Sequence, residues 1–177
     1  MRIMMDLLRV AGRSLLCLML TVSLAYGAQN YYMKIESAKS GTFKGGVSRK
    51  GSLWIPVLEV SHPAGREGLG KSQHKPIVVI KEIDGASAQL HRALTNNEVL
   101  KEVVIEFVRS DAPGKEAGKE TVYQTVTLTN ATIAGLKTIR SGKQEKEEEE
   151  VLFTYQKMEV TDQLGKKRVA DDWEAGR

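Results

Sequence analysis

Three histidines, His62, His74 and His91, are the side chains of this chain best suited to hold a metal or move a proton near neutral pH. None forms the i, i+4 pair that sets two imidazoles on one helical face, and no cysteine stands near them to complete a ligand set. His62 and His74 flank a glycine-rich stretch and could converge across it, but ordinary loop-edge side chains need no such explanation. No serine occupies a Gly-x-Ser-x-Gly elbow. Ser87 is read instead as a helix cap, its hydroxyl taking the amides two and three residues on. The run Gly65, Arg66, Glu67, Gly68, Leu69, Gly70 lacks the Lys-Ser/Thr ending of a phosphate loop. The acidic run at residues 145–150, broken by Lys146, lacks the fixed turn and alternating oxygens of a calcium loop and reads as a solvated loop. Asn130-Ala131-Thr132 matches a glycosylation sequon, a pattern too short to carry weight. The chemistry-bearing residues therefore predict no enzyme, no metal and no cofactor.

The elements that hold these residues are mostly strands. Residues 74–84 form a β-branched strand entered after Pro76 and left at Asp84-Gly85. A short helix follows, with Leu90, Ala93 and Leu94 on one face and Asn96-Asn97 at its end, and then a strand ending in Val103-Val104-Ile105-Glu106-Phe107-Val108-Arg109. Tyr31, Met33 and Ile35 alternate with polar neighbours in an earlier strand. Residues 37–50, rich in glycine and lysine, predict an exposed connection. Residues 51–62 predict a strand in which Pro56, lacking an amide donor, demands an edge or a bulge.

Residues 110–119 predict the turn of a hairpin between two long strands, the second running through residues 120–139 with a bulge at Gly135. Residues 151–161 read as one strand, residues 162–167 as a turn around Gly165, and residues 168–173 as a last short strand. Several strands with turn signals between them and one helix predict a mainly β fold, a compact antiparallel β-barrel or two-sheet sandwich flanked by one short α-helix.

The chain has 177 residues, 41% of them hydrophobic and 27% charged, within the usual size of one domain. A formal charge of +4 and a pI near 9.1 arise from scattered lysines rather than a basic stripe with interleaved aromatics, so nucleic acid is not an expected partner. Residues 1–27 form a separate leader. Arg2, Arg9 and Arg13 precede the uncharged run at residues 15–24, and small residues follow at Ala25 and Gly27, the pattern of a secretory signal cleaved between Gly27 and Ala28. The apolar run is shorter than the roughly 20 residues that a spanning helix takes. Cleavage removes Cys17, the one cysteine, so the domain at residues 28–177 must hold together by packing, with no disulfide and no stable membrane insertion.

The ordered set Tyr32-Met33-Lys34-Ile35, Lys75-Pro76-Ile77-Val78-Val79-Ile80-Lys81, Asp84 with Ser87 and Leu90, Val103-Val104-Ile105-Glu106-Phe107 and Tyr123-Gln124-Thr125-Val126-Thr127-Leu128 resembles the haemolysin-coregulated protein (Hcp) family of type VI secretion. Residues 131–139, residues 150–155 and Trp173 continue the resemblance in order, so that it spans nearly all of residues 31–174. It implies a barrel with one flanking helix, a homohexameric ring, rings stacked into a hollow tube, and a structural subunit that carries effectors among sheath and spike components. In that family a long loop joins neighbouring subunits or rings; here it would be residues 63–75, with Gly65, Arg66, Glu67, Gly68, Leu69 and Gly70 as the contact. The resemblance implies a secreted protein that is cytoplasmic before firing, whereas a cleaved leader implies an exported, periplasmic paralogue. The leader is the feature that departs from a tube subunit assembled in the cytoplasm.

Self-association also has a physical basis, because strand edges expose unpaired amides and carbonyls and a barrel carrying Pro56 leaves one available. The competing expectation is a monomeric exported β-domain that binds a ligand or surface through exposed aromatics at Trp54 or Trp173. Both tryptophans read more simply as core or seam residues.

Overall fold

The computed structural model describes residues 29–62, 75–110, 120–140 and 147–172. The period of two organises its first strand. In β1 (Gln29–Ser37), Met33 and Ile35 are fully buried, while Lys34 and Glu36 lie on the opposite face. β1 pairs antiparallel with β4 (Ser52–Val57) on one side and with β7 (Leu100–Ser110) on the other. β7 in turn pairs with β8 (Glu120–Arg140), so the two long strands form the expected hairpin. β8 continues to pair with β9 (Glu147–Thr154), and their register shifts between Ile133 and Gly135, the bulge its glycine predicts. β6 (Ile77–Glu82) lies between β9 and β5 (Glu59–Ser61).

β4 and β5 are one stretch of chain bent at Leu58, whose amide donates to the Ile80 carbonyl at 2.8 Å. The path β4-β1-β7-β8-β9-β6-β5 thus returns to the segment where it began, and the sheet curls into an antiparallel barrel. Among the described residues, β3 (Val47–Arg49) pairs only with Ser52, Leu53 and Trp54. Pro56 sits past the end of β3, an edge position that tolerates its missing amide. Met33, Ile35, Ile55, Ile77, Ile105, Leu128 and Phe153 fill the interior. Helix α1 (Ser87–Thr95) packs on β8 and adds Leu90 and Ala93 to that core, then stops at Asn96 and Asn97, the latter at φ 46°.

Four expectations are corrected. Residues 37–50 are not simply an exposed connection: they hold β2 (Gly41–Thr42) and β3, and Phe43 is 1% exposed in the core. The Phe43 amide donates to the Ile35 carbonyl at 3.0 Å, which turns its ring inward. Residues 51–62 form two strands, because the bend at Leu58 transfers the chain from β1 to β6. Residues 151–161 are also divided, into β9 and β10 (Lys157–Asp162), by a break at Tyr155 and Gln156. β10 keeps β9's alignment beside β8, with Thr132 opposite Thr154 and Thr129 opposite Lys157. Finally, residues 147–150 are no solvated loop but the first half of β9, and Glu149 is 1% exposed.

Candidate functional site

Among the described residues no cluster of three or more His, Cys, Asp or Glu could hold a metal ion. His91 is exposed on α1, and His62 is exposed with its Nε2 3.4 Å from the Tyr155 hydroxyl. His74 lies outside the described residues, as do Gly27 and Ala28 of the leader, the contact candidates Gly65, Arg66, Glu67, Gly68, Leu69 and Gly70, and Trp173.

The buried ionisable groups are occupied in holding elements together. Lys81 and Glu149 are direct cross-strand partners between β6 and β9, and the Lys81 ammonium donates to Glu149 Oε1 at 2.6 Å and to the Glu82 carbonyl at 2.7 Å. Asp84 Oδ1 lies 2.8 Å from the same ammonium. Ser87 is corrected here: its hydroxyl donates to Glu149 Oε1 at 2.6 Å and accepts from the Asp84 amide at 3.0 Å, and it caps no amide of its own helix. Asp84 closes the turn that leads into the helix, its Oδ1 accepting from the Ala86 amide at 2.9 Å. A buried charge needs a partner and satisfied lone pairs, and this arrangement supplies both.

A second buried acid, Glu98, accepts from Ser37 Oγ at 2.5 Å and from Ser40 Oγ at 2.7 Å. These pin the β1–β2 turn to the segment after α1. The hydrogen bond from Ser37 is the main reason that the Glu98 carboxyl is held below its ordinary pKa, against the opposing pull of burial. On the outer face, the Arg49 guanidinium lies 4.0 Å from the centre of the Tyr32 ring and donates to Glu106 and Glu120, each at 2.9 Å. Trp54 lies beneath it at 4% exposure, so this indole belongs to the packed structure rather than to a surface aromatic patch.

What is left open to a partner lies elsewhere. β10 pairs with β8 on one side and with β11 (Lys167–Asp172) on the other, and β11 has no further strand partner among the described residues. At the hairpin tip, Asp162 Oδ1 accepts from the Leu164 and Gly165 amides at 2.9 and 3.0 Å, which fixes the turn. The hairpin carries two large apolar side chains into solvent, Leu164 at 55% and Val169 at 69% exposure. At the opposite margin of this sheet, β3 pairs only with β4 among the described residues. Beneath the hairpin a groove of about 210 Å³ opens between β10 and the β5–β6 pair, lined by Val60, Ile77, Phe107, Val126, Met158 and Val160 with His62 and Gln124 at its polar margin.

The sequence points to an available strand edge through Pro56, but no local pattern singles out β3, β11 or the groove. The available signal was Leu164 and Val169 standing in an otherwise polar hairpin.

Residues 32–161 match the family described as "Type VI secretion system effector, Hcp". The chain is 33% identical over 165 residues to the "Major exported protein" of Pseudomonas aeruginosa, covering 80% of this chain and 94% of that protein. Its fold superposes on the "Secreted protein Hcp3" from Pseudomonas aeruginosa with a TM-score of 0.68 at 29% identity, covering 82% of this chain and 99% of the other. A mutant Hcp1 from E. coli EAEC 042 shares the fold with a TM-score of 0.70 at 22% identity, covering 81% of this chain and 99% of that one. With a sequence match that runs from β1 to β10, the chain belongs to the Hcp family of type VI secretion proteins.

Proposed function

We propose that this chain is a tube subunit and effector carrier that closes into a homohexameric ring by joining the β11 edge of one subunit to the β3 edge of the next. The outer edge of β11, which has no further strand partner among the described residues, with Val169 exposed beside it, is the observation that carries this reading. The sheet runs β3-β4-β1-β7-β8-β10-β11, so its two margins are different strands. Pairing unlike margins is a heterologous contact, and such contacts close into rings when the rotation between subunits permits. Each join satisfies backbone groups that would otherwise face water and invite uncontrolled strand addition. Rings built this way stack into a tube, with the segment containing Gly65 to Gly70 as a polar contact between neighbours and with sheath, spike and effector proteins as partners. The monomeric binding domain is the weaker reading, since Trp54, one of its two aromatic anchors, is buried.

The leader at residues 1–27 is read as a secretory signal cut between Gly27 and Ala28, and the match to the family begins after it, at residue 32. A protein carrying it crosses the inner membrane by the general route and forms its rings outside the cytoplasm. Mass spectrometry of the protein from cytoplasm, periplasm and medium, each fraction also sized by sedimentation, tests both parts. A periplasmic product beginning at Ala28 and sedimenting as a hexamer is expected. Full-length chain in cytoplasmic rings overturns the export route, and a monomer at every accessible concentration overturns the ring.

A further inference from the structure

We infer that the join between subunits is a parallel strand pair, in which β3 of one copy adds to β11 of the next so that the Lys50 end of β3 meets the acidic end of β11. This sense of pairing rests on the ring reading above and goes beyond it. Six antiparallel pairings lead from β3 to β11, namely β3–β4, β4–β1, β1–β7, β7–β8, β8–β10 and β10–β11. Each reverses the direction of the chain, and an even number of reversals leaves β3 and β11 running the same way. Unlike margins meet side by side around a ring only when the strands run broadly along its axis, since strands lying across the axis would turn their edges to the rings above and below. Rotation about the axis leaves the sense of every strand along it unchanged, and in a closed sheet the strands share a common tilt to that axis. The β11 of one subunit and the β3 of the next therefore run parallel.

Charge along the two edges agrees with this direction. β11 opens with Lys167 and Arg168 and closes with Asp171 and Asp172. β3 closes with Arg49, and Lys50 follows at φ 48° in the turn to β4. Arg49 is taken up by Glu106 and Glu120, whereas the Lys50 side chain stays 55% exposed beside its bond to Glu106. With Ser48 set opposite Val169, a parallel pair brings Lys50 to Asp171, and an antiparallel pair brings it to Lys167. Opposite charges on facing positions of neighbouring strands are favourable and like charges are costly. A parallel pair within one chain needs a long crossover connection, but a pair between two chains needs none.

Disulfide crosslinking of assembled rings reads the direction, in the full chain carrying Cys17→Ser, which has no other cysteine. One series combines Val47→Cys with a cysteine placed in turn at each of residues 167–172, and a second combines Lys50→Cys with the same positions. Denaturing gels without reductant then give the share of chain joined to a neighbour, as bands at dimer and above. The yield is expected to peak near residue 168 for Val47 and to move about three residues up the chain for Lys50, a shift whose sign does not depend on the exact register. A peak that moves down the chain overturns the parallel sense and leaves the ring reading standing. Rings that crosslink in neither series overturn the β11–β3 join itself, and a chain that sediments only as monomer overturns the ring, so sedimentation separates these failures from the first. Should Lys50→Cys fail to fold or assemble, Lys167→Glu supplies the second arm. It is expected to leave the concentration for half-assembly no lower than the parent's. A severalfold drop overturns the parallel sense, because only an antiparallel join sets Lys50 beside residue 167.

Discussion

Lys81 and Glu149 face each other across β6 and β9, and their side chains meet at 2.6 Å where neither is more than 2% exposed. The pair explains how an acidic run becomes a strand. Residues 147–150 are four consecutive glutamates, so local pattern does not distinguish one register from another two residues away. A single buried ammonium selects Glu149 and leaves the other three at less buried positions.

Breaking this pair should be far worse than replacing it. Lys81→Ala leaves the Glu149 carboxylate buried without its cation and is expected to lower stability by about 3–5 kcal/mol. The double variant Lys81→Met with Glu149→Leu should recover most of that loss, since apolar residues of similar volume replace both charges. Urea denaturation of the single and double variants checks the ordering, and a double variant as unstable as the single one contradicts it.

The alternating strands were legible because one face of each is packed and the other solvated. Met33 and Ile35 in β1, and Ile77 and Val79 in β6, are fully or almost fully buried as that alternation predicts. The failures share a cause in contacts distant along the chain. Phe43 sits in a glycine- and lysine-rich stretch, yet its amide bonds to β1 and its ring packs into the core. Ser87 has the sequence context of a cap, but Lys81 and Glu149 on the neighbouring strands recruit its hydroxyl. The break at Tyr155 carries no glycine or proline to announce it, because it arises where β9 stays with β6 while β10 leaves with β11. The edges proposed to join subunits are the least legible part, since an open edge is defined by what does not pair beside it among the described residues.

Gly45 should tolerate no side chain. A Cβ there would stand 2.1 Å from the Trp54 carbonyl oxygen, a backbone atom that cannot swing away. Gly45→Ala is expected to cost about 1–3 kcal/mol, the usual range for forcing extra volume into a packed site. Gly46→Ala is the control, because its Cβ meets only Asp84 Oδ2 at an ordinary 3.6 Å. Comparable denaturation midpoints for the two variants would defeat the argument.

Glu98 gives the fold a pH dependence of known sign. Its carboxyl is held below the ordinary value of 4.5, first by the hydrogen bond from Ser37, so the folded state binds its proton less tightly than the unfolded state. The contribution is therefore fully present above the unfolded value and is lost as pH falls through the lower folded value. Glu98→Gln should lie below the parent in stability at neutral pH, with the gap narrowing as pH falls below about 4.5. Denaturation midpoints of both chains across that range test it, and a gap that widens on acidification reverses the assigned sign.

The β11 edge makes the last prediction, and it turns on backbone rather than side chains. Successive amides along a strand point to opposite edges, so of Val169 and Ala170 one amide faces β10 and the other faces the open side. Proline removes the amide wherever it is placed. One of Val169→Pro and Ala170→Pro should therefore strip a donor that only a neighbouring subunit would use, while the other damages the β10–β11 ladder itself. The expected result is asymmetric: one variant keeps the parent's unfolding midpoint as a monomer but fails to form rings in sedimentation, and the other loses stability as well. Charge cannot account for such a difference, because both substitutions are neutral. If both prolines leave the rings intact, β11 is not the strand that joins the subunits. If both abolish rings only by unfolding the hairpin, Val169→Asp becomes the deciding variant, because it keeps every amide and places a charge beside the proposed join.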